Sequence, residues 1–125
     1  NKIDRSKFEE RKNFGLSLKA ERTREFELDI FILRGYQLVG ISITSSNNIG
    51  LCKHKGFEVI HRVNQIGGEE SKAILITAIS DKAKIEELKE DLEYETGSSD
   101  GKIKIFGQED WEDIDEKIIE EVFAK

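Results

Sequence analysis

The stretch Phe26-Glu27-Leu28-Asp29-Ile30-Phe31-Ile32-Leu33, returning through Arg34-Gly35 into Tyr36-Gln37-Leu38-Val39-Gly40-Ile41-Ser42-Ile43-Thr44, decides the fold. A two-residue period puts Phe26, Leu28, Ile30 and Ile32 on one face of the first segment, and Glu27, Asp29, Phe31 and Leu33 on the other. Both faces are mainly apolar, which predicts a central strand. Arg34-Gly35 reads as a tight turn. The return strand sets Gln37, Val39, Ile41 and Ile43 against Leu38, Gly40, Ser42 and Thr44. A carboxylate taken out of water costs several kcal/mol unless a cation or hydrogen bonds compensate. Glu27 and Asp29, inside an apolar hairpin, are therefore expected to be site residues. The other reading leaves them exposed near the strand's start, paired with Arg22, Arg24 or Arg34.

Working outward, residues 4–12 are charged and read as a short helix, and residues 14–20 alternate as a strand. After the hairpin a polar linker, 45–50, leads into residues 51–66. There Cys52, Gly56, Val59, Val63 and Ile66 recur at helical spacing, and Gly67-Gly68 stops the helix. Residues 72–79 predict a buried strand, 81–94 an amphipathic helix capped by Ser80, 102–106 a short strand, and 109–123 a closing helix anchored by Trp111. The expected order is αβββαβαβα, an α/β sandwich with a central mixed sheet flanked by helices.

The 125 residues fit one domain, 1–125, with a single core. The chain opens on Asn1 and holds no Met or Pro, so it is expected to be a piece of a longer protein. One cysteine, Cys52, argues against a disulfide scaffold or thiolate zinc site and suggests a reducing, cytoplasmic setting. No apolar run reaches the roughly 18 residues that span a bilayer. Residues 1–80 carry 13 Lys and Arg against 10 Asp and Glu, whereas residues 81–125 carry 7 against 16. Nucleic acid, if bound, is expected on the first part of the chain, because phosphate contacts need local positive charge.

Lys55, Glu58, Arg62 and Gln65 follow intervals of three, four and three, along one side of the 51–66 helix and beside its apolar stripe. Two readings stand. The row is a surface ladder of salt bridges, or it points over the sheet, where a carboxylate joins Asp29 on a divalent cation and a lysine acts on water. Phosphodiester cleavage needs an acidic pair to hold Mg²⁺ or Mn²⁺, a source of hydroxide, and cations facing the phosphate. His54 and His61 share a helix side but lack a third zinc ligand. Gly67-Gly68 has no following Lys-Ser/Thr and is a helix stop rather than a phosphate loop. Cys52 has no base in view and reads as a core residue.

The blocks FELDIFILRGYQLVGISITSS, LCKHKGFEVIHRVNQIGGEE and KAILITAI, across residues 14–80, resemble the effector domain of CRISPR-associated proteins that join a CARF sensor to a PD-(D/E)xK nuclease. The resemblance implies a restriction-endonuclease-like fold and a homodimeric, Mg²⁺- or Mn²⁺-dependent nuclease acting on DNA, RNA or both. It also implies activation by cyclic oligoadenylate through a sensor domain absent from this chain. By position, Glu27 and Asp29 match the family's acidic strand motif, and Gln65, Gly67 and Gly68 the end of its next helix. Ser42 and Thr44 occupy the places of its Glu-x-Lys pair, and no Gly-Trp-Leu-Glu helix opens the chain. Two accounts follow. Either the carboxylate and lysine have moved to Glu58 and to Lys53 or Lys55, or the domain is inactive and kept for dimerisation or nucleic-acid binding. The cost of unpaired carboxylates in an apolar hairpin favours the first. The expected site is then Asp29 and Glu58 on the metal with Glu27 assisting, Lys55 beside the attacking water, Ser42 and Thr44 at the strand positions, and Arg62, Gln65 and Lys53 on nucleic acid.

Overall fold

The computed structural model describes residues 27–99 and 101–123. The helix and strand expected over 4–12 and 14–20 lie outside them. Two strands, β1 (Glu27–Arg34) and β2 (Gln37–Thr44), form an antiparallel hairpin in which Arg34 faces Gln37 and Asp29 faces Ser42. The turn is Gly35-Tyr36, one residue later than the sequence suggested. Gly35 has φ 61°, a left-handed value that favours glycine in a two-residue hairpin turn.

Helix α1 (Ile49–Gly67) carries the chain to β3 (Lys72–Ile76), which pairs parallel with β2; helix α2 (Lys82–Thr96) then leads to β4 (Ile103–Phe106), parallel with β3. A 3₁₀ segment, Gln108–Asp113, opens the closing helix α3 (Ile114–Phe123). The sheet order is β1-β2-β3-β4. Two successive crossovers stepping the same way with the same hand place both helices on one face. Cys52, Val59, Ile60 and Val63 of α1 and Leu88 and Leu92 of α2 accordingly share a core with Leu38, Ala73, Leu75, Ile103 and Ile105. Ile114, Ile118 and Val122 of α3 cover the other face, over Val39, Ile41, Ile43, Ile74, Ile76 and Phe106. The protein is thus a mixed α/β layer structure with a four-stranded mixed sheet and three α-helices among the described residues.

Residues 73–76 of β3 are fully buried, as a strand covered on both faces requires. β1 differs from expectation. Among the described residues it has a strand neighbour on one side only, and Leu28, Phe31 and Leu33 are exposed, Leu33 by 65%. Its apolar alternation marks the face it turns to α3, where Ile30 and Ile32 pack, but α1 lies mainly over β2 and β3 and meets the opposite face of β1 only along its margin.

Ends of elements follow local chemistry. Asn48 caps α1 by accepting from the Leu51 N–H at 2.9 Å, and Gly68, at φ 73°, closes it. Asp81, not Ser80, caps α2, its Oδ1 accepting from the Ala83 N–H at 2.9 Å. β3 ends at Ile76 rather than at 79. Thr77 there donates both its N–H and its hydroxyl to the Phe106 carbonyl and accepts from the Ile79 N–H, so the pairing with β4 ends in a local bend. Trp111 anchors the chain before α3 as expected, buried and donating its indole N–H to the Thr77 carbonyl at 2.8 Å.

Candidate functional site

α1 reaches β1 because β2 is thin beneath it. A Cβ on Gly40 would overlap Val63 Cγ1 and stand 3.0 Å from the Phe31 ring, so only glycine allows the helix this close. Beside that contact lies a cleft of about 110 Å³ lined by Asp29, Phe31, Ser42, Lys55, Glu58, Val59 and Arg62. Hairpin and helix thus bring together Asp29, Ser42, Lys55, Glu58 and Arg62, five of the residues singled out in the sequence. Glu27 joins them from the rim, its Oε1 2.6 Å from the Lys55 Nζ.

Lys55 is the electrostatic centre of the group. Its ammonium also lies 3.7 Å from Glu58 Oε1, and the charge of Asp29 acts on it as well. The hydrogen bond that Lys55 donates to Glu27, reinforced by these carboxylates against the cost of burial, holds Lys55 above the usual lysine range. Asp29 accepts from the Ser42 hydroxyl at 2.9 Å across the strand pair. Glu58 has His54 one turn back at 3.6 Å.

Several expectations need correction. Glu27 and Asp29 are exposed, so uncompensated desolvation, which made them stand out in the sequence, does not operate. The partner of Glu27 is a helix lysine 28 residues away, and Arg34 stacks over the Phe123 ring at 5.3 Å instead. Lys53 points to the far side of α1, where it meets Glu95 of α2 at 2.6 Å. Thr44 is buried away from the cleft and accepts from the Ser46 N–H, shaping the turn after β2. Gln65 is exposed and outside the cleft, as is Ile66, which the helical stripe had placed in the core but which is 65% exposed.

Sequence reasoning missed Phe31 and Val59 as walls of the cleft and the bond between Ser42 and Asp29. Only the glycine at position 40, small where its neighbours in β2 are large, signals a close helix. Among the described residues no group of three or more His, Cys, Asp or Glu side chains forms a ready cation cage. Carboxylate oxygens are nevertheless the donors that Mg²⁺ and Mn²⁺ take, and Mg²⁺ is commonly held by one or two carboxylates, waters and substrate phosphate. Asp29 on β1 and Glu58 on α1 are the two carboxylates among the residues that line the cleft.

No protein-family model matches the chain, and no curated protein matches it significantly. Fold and cleft geometry therefore carry the functional argument.

Proposed function

We propose that the chain is a restriction-endonuclease-like domain that cleaves nucleic-acid phosphodiesters with Mg²⁺ or Mn²⁺ held by Asp29 and Glu58, Glu27 assisting. The observation that supports it is the convergence of Asp29, Lys55, Glu58 and Arg62 on one cleft from two separate elements.

Charge balance favours a cation-dependent site over simple binding. Glu27, Asp29 and Glu58 face Lys55 and Arg62, three carboxylates against two cations, a balance of −1. Such a cleft repels phosphate; one divalent cation turns the balance to +1 and makes it attractive. When bound, the metal supplies Lewis acidity and lowers the pKa of its water. Lys55, kept protonated by Glu27, serves as a fixed positive charge and hydrogen-bond donor that orients water rather than as a base. Arg62 offers a planar fork to a phosphate oxygen. The dimeric, sensor-controlled organisation implied by the family resemblance belongs to the same proposal.

A second reading, a nuclease-like fold kept for assembly or binding, is favoured by Ser42 and Thr44, whose hydroxyls are engaged by Asp29 and by Ser46. The deciding experiment incubates single-stranded and duplex DNA and RNA with Mn²⁺, Mg²⁺ or EDTA, using this chain and its full-length parent with cyclic oligoadenylate. Metal-dependent cutting lost in Asp29→Ala and Glu58→Ala supports cleavage at this cleft. No cutting by the activated parent with either metal supports the second reading.

A further inference from the structure

Ser42 lies opposite Asp29 in the strand register and is 1% exposed. β2 holds it firmly, since its neighbours Ile41 and Ile43 are buried on the other face and Ser42 also registers with Leu75 of the fully buried β3. Asp29, by contrast, is exposed, and an exposed aspartate distributes among several rotamers. Lys55 does not remove that freedom. Its short contact is with Glu27, and Asp29 acts on it through its charge alone. The hydrogen bond from Ser42 Oγ to Asp29 Oδ1 at 2.9 Å does remove it, because the donor is anchored in the sheet. That bond engages one carboxylate oxygen from the strand side and leaves Oδ2 for another partner.

Resting on the cation-dependent reading of the cleft, we propose that Ser42 is a positioning residue that orients the Asp29 carboxylate for the cation. A glutamate at position 42 would supply a ligand of its own. The serine instead acts through the ligand that remains. It adds no negative charge beside Asp29, so the cleft balance stays at −1 and one divalent cation suffices to reverse it. Hydrogen-bond partners that orient metal-ligating side chains typically account for about ten- to a hundredfold in metal affinity.

The test titrates Mn²⁺ by calorimetry into the parent chain, Ser42→Ala, Ser42→Thr, Ser42→Cys and Asp29→Ala, with thermal unfolding in EDTA run alongside. Ser42→Ala is expected to bind Mn²⁺ roughly tenfold more weakly, Ser42→Thr to stay within about twofold of the parent, and Asp29→Ala to lose binding. Ser42→Cys, close in volume but a weaker donor, is expected to fall between serine and alanine. Parent-like affinity in Ser42→Ala together with lost binding in Asp29→Ala overturns the positioning role and leaves the cation site standing. Equal losses in Ser42→Thr and Ser42→Ala also overturn it, because packing rather than the hydroxyl would then be at issue. Parent-like affinity in Asp29→Ala removes the cation site and the positioning role with it.

Discussion

Gly40→Ala probes the joint between fold and site. The added methyl overlaps Val63 Cγ1 and crowds the Phe31 ring at 3.0 Å. Valine is stiff at χ1, and Val63 is fully buried in α1, so the strain falls on the separation of helix and sheet. Overpacking of this kind costs about 1–3 kcal/mol. Alanine in place of a strand glycine returns about 0.5–1 kcal/mol of backbone entropy. The net loss is then about 0–2.5 kcal/mol, a fall in Tm of up to roughly 15 °C for a domain of this size. Chemical denaturation of the parent, Gly40→Ala, Val63→Ala and the double variant measures it. Removing the methyl that is struck should relieve the clash, so the double variant is expected to be more stable than the sum of the single losses by about 0.5 kcal/mol or more. Since α1 also carries Lys55 and Glu58, Mn²⁺ affinity should fall in Gly40→Ala and recover partly in the double variant. Additivity within about 0.3 kcal/mol, or a Gly40→Ala protein more stable than the parent, would refute the close-contact reasoning.

Cys52 is fully buried, its thiol donates to the Ser46 carbonyl at 3.6 Å, and burial pushes its pKa up to about 11. A disulfide reagent near neutral pH should label it only after denaturant is added, and rapid labelling of the native chain would contradict the packing. Lys55→Met should destabilise the chain by a constant amount from neutrality to about pH 10, the unfolded lysine value. Above that the difference should shrink, because the folded value is raised and the ion pair is lost as pH climbs through it. Lys102 behaves oppositely: burial holds it below the usual lysine range, so the unfolded chain binds its proton more tightly. Its contribution to stability should grow with pH up to about 10.4. Lys102→Met removes the donor from the buried Ser71 carbonyl, and from the Ser71 hydroxyl and the Glu69 carbonyl, which accept from its Nζ at 2.7, 2.8 and 3.3 Å, and should cost about 1–3 kcal/mol by urea denaturation.

The hairpin, the strand-helix-strand succession β2-α1-β3 and the Gly67-Gly68 stop were legible because periodicity and glycine chemistry are local, whereas the parallel pairing of β2 with β3 emerges only in the structure. The alternation of β2 sorts its side chains correctly, with Val39, Ile41 and Ile43 meeting α3 and Leu38 meeting α1. Among the described residues β1 lies at the sheet edge although its alternation predicts a central strand, because apolar alternation reports what a strand's faces resemble, whereas exposure depends on where a distant helix is laid. The candidate site was legible in part for the same reason. Spacing put Lys55, Glu58 and Arg62 on one flank, and the structure turns that flank toward Asp29. Which lysine faces the carboxylates is a tertiary matter. Lys53 and Lys55 are two residues apart, and the turn of the helix sends one to Glu95 and the other to Glu27. The capping of α2 by Asp81 rather than Ser80 is a one-residue shift of the kind helix ends commonly show.

The central claim is that a divalent cation completes an otherwise phosphate-repelling cleft, and oligonucleotide binding by fluorescence anisotropy tests it most directly. The parent and an Asp29→Asn/Glu58→Gln variant are compared in EDTA and in millimolar Mn²⁺. Neutralising both carboxylates brings the cleft from −1 to +1 without a metal. The account predicts that the parent binds only with Mn²⁺, whereas the double variant binds equally in EDTA and in Mn²⁺ and cuts in neither. Equal binding by the parent in EDTA and in Mn²⁺ would contradict it.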